Sequence, residues 1–127
     1  MSALSLVLRD TTDNGLVFWC PGCDMAHRIQ HGAGSGPRWT WNGDIDKPTF
    51  SPSINVVYDQ LSEASRARNA EFRAAHGRYM TNEELPYDLH HVCHSFVTDG
   101  RIQFLGDCTH ALAGQTVDLP PFEHSWE

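Results

Sequence analysis

Basic residues are scarce in this chain. Nine lysines and arginines face sixteen acidic residues, Lys47 is the only lysine, and the net charge is −7. Proteins that track phosphates carry a basic face, because neutralising phosphates supplies much of their affinity, so nucleic-acid binding is not expected. Arg66, Arg68, Arg73 and Arg78 do gather in one stretch, but Glu63, Glu71, Glu83 and Glu84 are mixed among them, as on a solvated helix face. Long apolar runs are missing too, and nothing approaches the roughly 20 residues needed to span a bilayer. Met1–Leu8 is apolar without a basic lead or cleavage site, so it reads as a first strand of a cytoplasmic protein, not as a signal peptide. Three catalytic signatures are absent: a nucleophile elbow, a phosphate loop (the glycines from Gly32 to Gly36 precede no Gly-Lys-Ser/Thr) and a metalloprotease His-Glu-x-x-His.

What remains is enough for one globular domain over residues 1–127, with 40% hydrophobic residues, ten glycines and seven prolines. The expected fold is mainly β (α+β): a small antiparallel β domain with a zinc knuckle and a β-hairpin, plus a helical insertion around residues 60–86. Leu16–Trp19 leads into Cys20-Pro21-Gly22-Cys23 and Ala26–Ile29 follows, which is strand, tight turn, strand. Pro48 and Pro52 bracket Thr49-Phe50-Ser51, which argues against an interior strand there. Ser53–Tyr58 resumes the β pattern. The segment of about 59–88 changes character: Ser62 precedes a helix-favouring run, Glu63 to His76, and Gly77 stops it. Thr81 and Glu84 suit a capping box. Asp99-Gly100 between two alternating runs predicts a two-residue hairpin turn. Thr109–Gly114 reads as one helical turn, and Thr116–Leu119 as a last strand before a loose acidic tail.

The cysteines carry the chemistry. Structural zinc takes four ligands in tetrahedral geometry, and a Cys-x-x-Cys turn offers two thiolates from one loop. Proline pre-sets one backbone angle of that turn and glycine accepts a positive one. A redox pair is the weaker reading, because it expects the start of a helix, where Ala26–Ile29 reads as strand. Counting outward from Asp99-Gly100 puts Cys93, Ser95, Val97, Ile102, Phe104, Gly106 and Cys108 on one hairpin face. His94, Phe96, Thr98, Arg101, Gln103, Leu105 and Asp107 fall on the other. The expected ligands of Zn2+ are thus Cys20, Cys23, Cys93 and Cys108, with His110 or His94 as alternatives for the fourth. Cys93 or Cys108 could instead be a small buried apolar residue, as free cysteine often is. His94 and Asp107 share a face and are the candidates for a general base and its carboxylate, although such a pair is more often structural.

Five blocks resemble a family of small proteins of unknown function common in tailed-phage genomes. They are Phe18–Cys23, Trp39–Gly43, Lys47–Ser53, Cys93–Leu105 and Asp107–Gly114. Members are often labelled ammonia monooxygenase, a membrane copper enzyme, a label that a chain without a membrane span does not fit. The resemblance implies phage or prophage origin, a metal site at the cysteines, and a recurrent feature at Trp41, Asn42, Pro48, Ser51 and His110. The function expected from all this is a non-catalytic zinc-stabilised module, a phage accessory protein that binds a host or phage protein. The acidic surface and the aromatics Trp39, Trp41 and Trp126 suit a protein partner. A metal-dependent hydrolase with a Cys/His zinc site is the alternative.

Overall fold

The computed structural model describes residues 2–122, so the acidic tail and Trp126 lie outside the described residues. Elements run β1 (Ser2–Ala3), β2 (Arg9–Asp10), β3 (Gly15–Cys20), β4 (Met25–Gln30), β5 (Thr40–Trp41), β6 (Phe50–Gln60), α1 (Glu63–His76), β7 (Leu89–Thr98), β8 (Arg101–Phe104) and β9 (Thr116–Asp118). The strands make two antiparallel sheets, ordered β1-β2-β3-β4 and β5-β6-β7-β8-β9. The chain is therefore mainly β with one helix. Among the described residues, no helix is long and apolar enough to cross a membrane. Two compact units divide it: residues up to 56 together with those from 93 onward, and residues 57–92.

The first unit holds the core. Leu16, Phe18 and Cys20 alternate onto one face of β3, and the register sets them opposite Ile29, His27 and Met25 of β4. Phe50 stacks on Phe18 at 6.0 Å, and Val97, Ile102 and Phe104 close the same cluster from the hairpin. All are essentially sealed from water. Truncating Phe18 or Phe104 would remove a large ring from a packed interior, which typically costs about 3–5 kcal/mol. The hairpin register is the one counted from the sequence: Thr98 faces Arg101, Val97 faces Ile102 and Ser95 faces Phe104. Its turn works because Asp99 (φ 51°) and Gly100 (φ 76°) both adopt the left-handed conformation that a two-residue turn needs.

Three local expectations fail. Most of Met1–Leu8 is not strand; only Ser2–Ala3 pairs, with Arg9–Asp10. Thr109–Gly114 forms turns rather than a helix, with Ala113 N–H on His110 O and Gln115 N–H on Leu112 O. Phe50 and Ser51 do lie in a strand of the sheet ordered β5-β6-β7, paired to Trp41 and Thr40, and the pairing with β5 ends at Ser51, before Pro52.

In the second unit, α1 begins and ends where the sequence places it. Ser62 accepts the Ser65 N–H at its N-terminus, and Gly77 (φ 73°) donates to Arg73 O at its C-terminus. Asp88 clamps this cap. The Ser62 N–H and the hydroxyls of Ser65 and Ser62 hold its carboxyl down from 3.8 to about 2. A lowered carboxyl stabilises the fold above its unfolded value and loses that contribution as pH falls through the folded one. The helix should therefore loosen between pH 3.8 and about 2. Far-UV circular dichroism should record that step in the unchanged chain and miss it in Asp88→Asn.

Candidate active site and metal cluster

Strand alternation turns His94 outward from β7 while its neighbour Cys93 turns inward. On the outer side, His94 Nε2 lies 2.9 Å from Ser53 Oγ, and His94 Nδ1 lies 3.2 Å from Asp107 Oδ2. An ionised carboxylate only accepts, so Nδ1 carries the ring proton and donates it to Asp107. The neutral ring is then left with Nε2 as an acceptor for the Ser53 hydroxyl. Hydroxyl, imidazole and carboxylate thus stand in series with the tautomer set by the third group, the arrangement of a Ser-His-Asp triad. The His94 side chain is 27% exposed and that of Asp107 58%, so the series opens to solvent at the carboxylate end. Phe96, two residues along the same face, stacks near His94 at 6.5 Å.

Ser53 is fixed from the other side. Its carbonyl accepts the Trp39 indole N–H at 3.2 Å, and Thr40 Oγ1 donates to the carbonyl of Ser51. Trp39 and Thr40 also line a pocket of about 440 Å³ with His31, Gly32, Arg38 and Trp41. Arg38 is aimed by two backbone acceptors, Ser35 O on its Nε and His31 O on its Nη1.

On the inner side, Cys20, Cys23, His27 and Cys93 bring one ligand atom each within 4.8 Å of one another, close enough to hold a metal ion. Cys20 and Cys93 Sγ are 3.8 Å apart. Two sulfurs bound at ~2.3 Å to a tetrahedral ion would sit about 3.8 Å apart, so the spacing fits. The Nε2 of His27 is buried and makes no regular hydrogen bond, an orphan nitrogen that a metal would satisfy. The Cys93 thiol hydrogen-bonds to Cys20 and, with help from His27, draws the Cys20 thiol down to about 4, while Cys93 is pushed up by the same contact.

The other expected ligands are placed differently. Cys108 joins Cys93 and His110 in a second group within 4.8 Å. Its Sγ lies 3.2 Å from both the N and the O of His94. His110 Nδ1 accepts the Leu112 N–H, while its Nε2, like that of His27, is buried without a hydrogen-bond partner. His94 spends both ring nitrogens on Ser53 and Asp107. The group of four around Cys20 thus includes His27, while Cys108 and His110 form the second group through the shared Cys93. Gly22 also has another role than a positive backbone angle: a Cβ there would sit 2.3 Å from the His110 ring. The close packing of His110 on the knuckle is what requires glycine.

A family model described as bacterial ubiquitination-like system serine protease (BubE) matches residues 2–105. No curated protein and no solved structure matches the chain. The family match overturns the reading of a non-catalytic module, because the family is described as a serine protease. The matched span contains Ser53 and His94 and stops two residues short of Asp107. His94 and Asp107 were expected as a pair from the sequence, and Ser53 was not among the expected residues. The one signal for it was a serine whose side chain falls on the outer face of a strand two places after Ser51.

Proposed function

The chain belongs to the BubE family, and on that premise we propose that it is a serine protease acting within a bacterial ubiquitination-like system. Ser53 is the nucleophile, His94 the general base and Asp107 the group that orients it. The observation that carries this reading is the pair of contacts on the two nitrogens of His94, 2.9 Å to Ser53 Oγ and 3.2 Å to Asp107 Oδ2. Ser53 Oγ attacks the carbonyl carbon of an amide while His94 Nε2 takes the hydroxyl proton. The imidazolium so formed is stabilised by Asp107 and returns the proton to the leaving amine. Water then cleaves the acyl-enzyme by the same base, restoring Ser53.

The reading is tested by the groups that flank Ser53. Asp107→Asn can place the ring in the wrong tautomer, a change that costs about 10⁴ in kcat where the aspartate is buried. Asp107 is half-exposed here, so a loss nearer 10²-fold is expected. His94→Ala should lose far more. Peptidase rates for both that match the unchanged chain would remove the reading.

The substrate recess is the pocket walled by Trp39, Trp41 and Arg38, which the Trp39–Ser53 contact ties to the nucleophile. Its size is that of ordinary ligand sites. Trp41→Ala removes contact area distant from the reacting atoms, so KM should rise about tenfold with kcat nearly unchanged. Steady-state kinetics that show the reverse split would move the recess elsewhere.

The ion held by Cys20, Cys23, Cys93 and His27 is read as Zn2+, since three thiolates and an imidazole are a common structural zinc set. Such a closed set leaves no position for substrate, so the metal supports the fold and the triad does the chemistry. Cysteines held as thiolates on a metal suit the reducing cytoplasm.

A further inference from the structure

Each of the two triad members on the hairpin adjoins a buried cysteine in the chain: Cys93 precedes His94, and Cys108 follows Asp107. The cysteines lie inward, 1% and 9% exposed, and the catalytic side chains outward, through strand alternation at Cys93 and His94 and in the loop after β8 at Asp107 and Cys108. Cys108 does more than pack. Its sulfur lies 3.2 Å from the backbone N–H of His94, which donates to it, and 3.2 Å from the carbonyl of His94, to which the thiol donates. Both peptide groups that flank the His94 side chain are therefore held by one sulfur. The Leu105 N–H occupies the same carbonyl at 2.9 Å, closing the rung.

We propose that Cys108 is a positioning residue for His94, acting together with a divalent metal bound through Cys93 to hold the imidazole against Ser53. The metal fixes the residue before His94, and Cys108 fixes the peptide units on either side of it. The ring is left free to turn only about its own side-chain bonds, where Asp107 and Ser53 select one orientation. Misplacing a reacting group by about 1 Å costs on the order of 10²-fold in rate, so a clamp at the His94 backbone acts on kcat and not on substrate affinity. The two roles of the hairpin cysteines differ: Cys93 is a ligand within the four-donor group, and Cys108 lies outside that group.

The inference rests on the protease reading, and its test separates the two. The rate at which a fluorophosphonate phosphonylates Ser53, with loss of fluoride, is measured on the full chain loaded with Zn2+, for the unchanged protein, Cys108→Val and Cys108→Ser. Zinc content, circular dichroism and the kcat/KM split on a peptide substrate are recorded alongside. Valine fills the buried volume and cannot hydrogen-bond, whereas serine can. Expected are a 10- to 100-fold lower phosphonylation rate and kcat for Cys108→Val, unchanged KM, one zinc per chain throughout, and recovery of most of the rate in Cys108→Ser. Should the Cys108→Val chain fail to fold, Cys108→Ala gives the same comparison with serine. Equal phosphonylation rates in all variants overturn the inference alone. Loss of zinc in step with activity also overturns it, by making Cys108 a ligand. No phosphonylation of the unchanged chain overturns the protease reading and this inference with it.

Discussion

Ser53→Ala is expected to lower kcat by about 10⁴-fold or more while leaving the protein folded. The loss is large because one atom, Ser53 Oγ, supplies the electron pair that makes the acyl-enzyme and lies 2.9 Å from His94 Nε2. The fold should hold because the hydroxyl contributes one hydrogen bond at a half-exposed position. Removing it costs about 1 kcal/mol. The backbone carbonyl that receives the Trp39 indole is unaffected. Ser51→Ala, two residues away and exposed, is the matched control and should keep the full rate. Peptidase assays with thermal melts on both variants decide the matter. Equal loss in both, or a collapse of the melt in Ser53→Ala, would mean that the serine is structural.

Stripping the metal should have the largest effect on stability. Ligation of Cys20, Cys23, Cys93 and His27 ties the knuckle between β3 and β4 to β7, which lie in different sheets. A ligand that binds only the folded state adds about 4 kcal/mol when present at a thousand times its dissociation constant. For a chain of this size that is a shift in Tm of about 12 °C or more. Chelation followed by differential scanning calorimetry should show it, and added Zn2+ should reverse it. Cys93→Ser should abolish the zinc-dependent shift and Cys108→Ser should not. A melt indifferent to chelation would reduce the cluster to four packed polar groups.

Local patterns carried the elements that depend on neighbours in sequence. Ser62 and Gly77 bound the helix because capping and the left-handed stop are settled within a turn. Asp99-Gly100 set the hairpin register from Thr98–Arg101 out to Ser95–Phe104, and beyond it a loop after β8, not alternation, brings Asp107 to His94. What was not legible depends on pairing between distant strands. Ser53 reaches His94 across 41 residues; the sequence placed it at the start of a strand but did not show which distant strand it meets. His27 was readable in principle, since it faces inward on the strand that leaves the knuckle, yet alternation says which face it occupies and not what meets it there. Cys108 and His110 sit near the expected cluster, but the hydrogen bonds to the His94 backbone and from Leu112, which no residue pattern encodes, give them other partners.

One experiment bears on the triad more directly than any rate. The full chain is treated with a fluorophosphonate, digested, and the adduct mapped by mass spectrometry. A single adduct on Ser53, lost when His94→Ala removes the base, is the expected result. An adduct on another serine, or the same adduct with His94 removed, would contradict the assignment of Ser53, His94 and Asp107 as one catalytic unit.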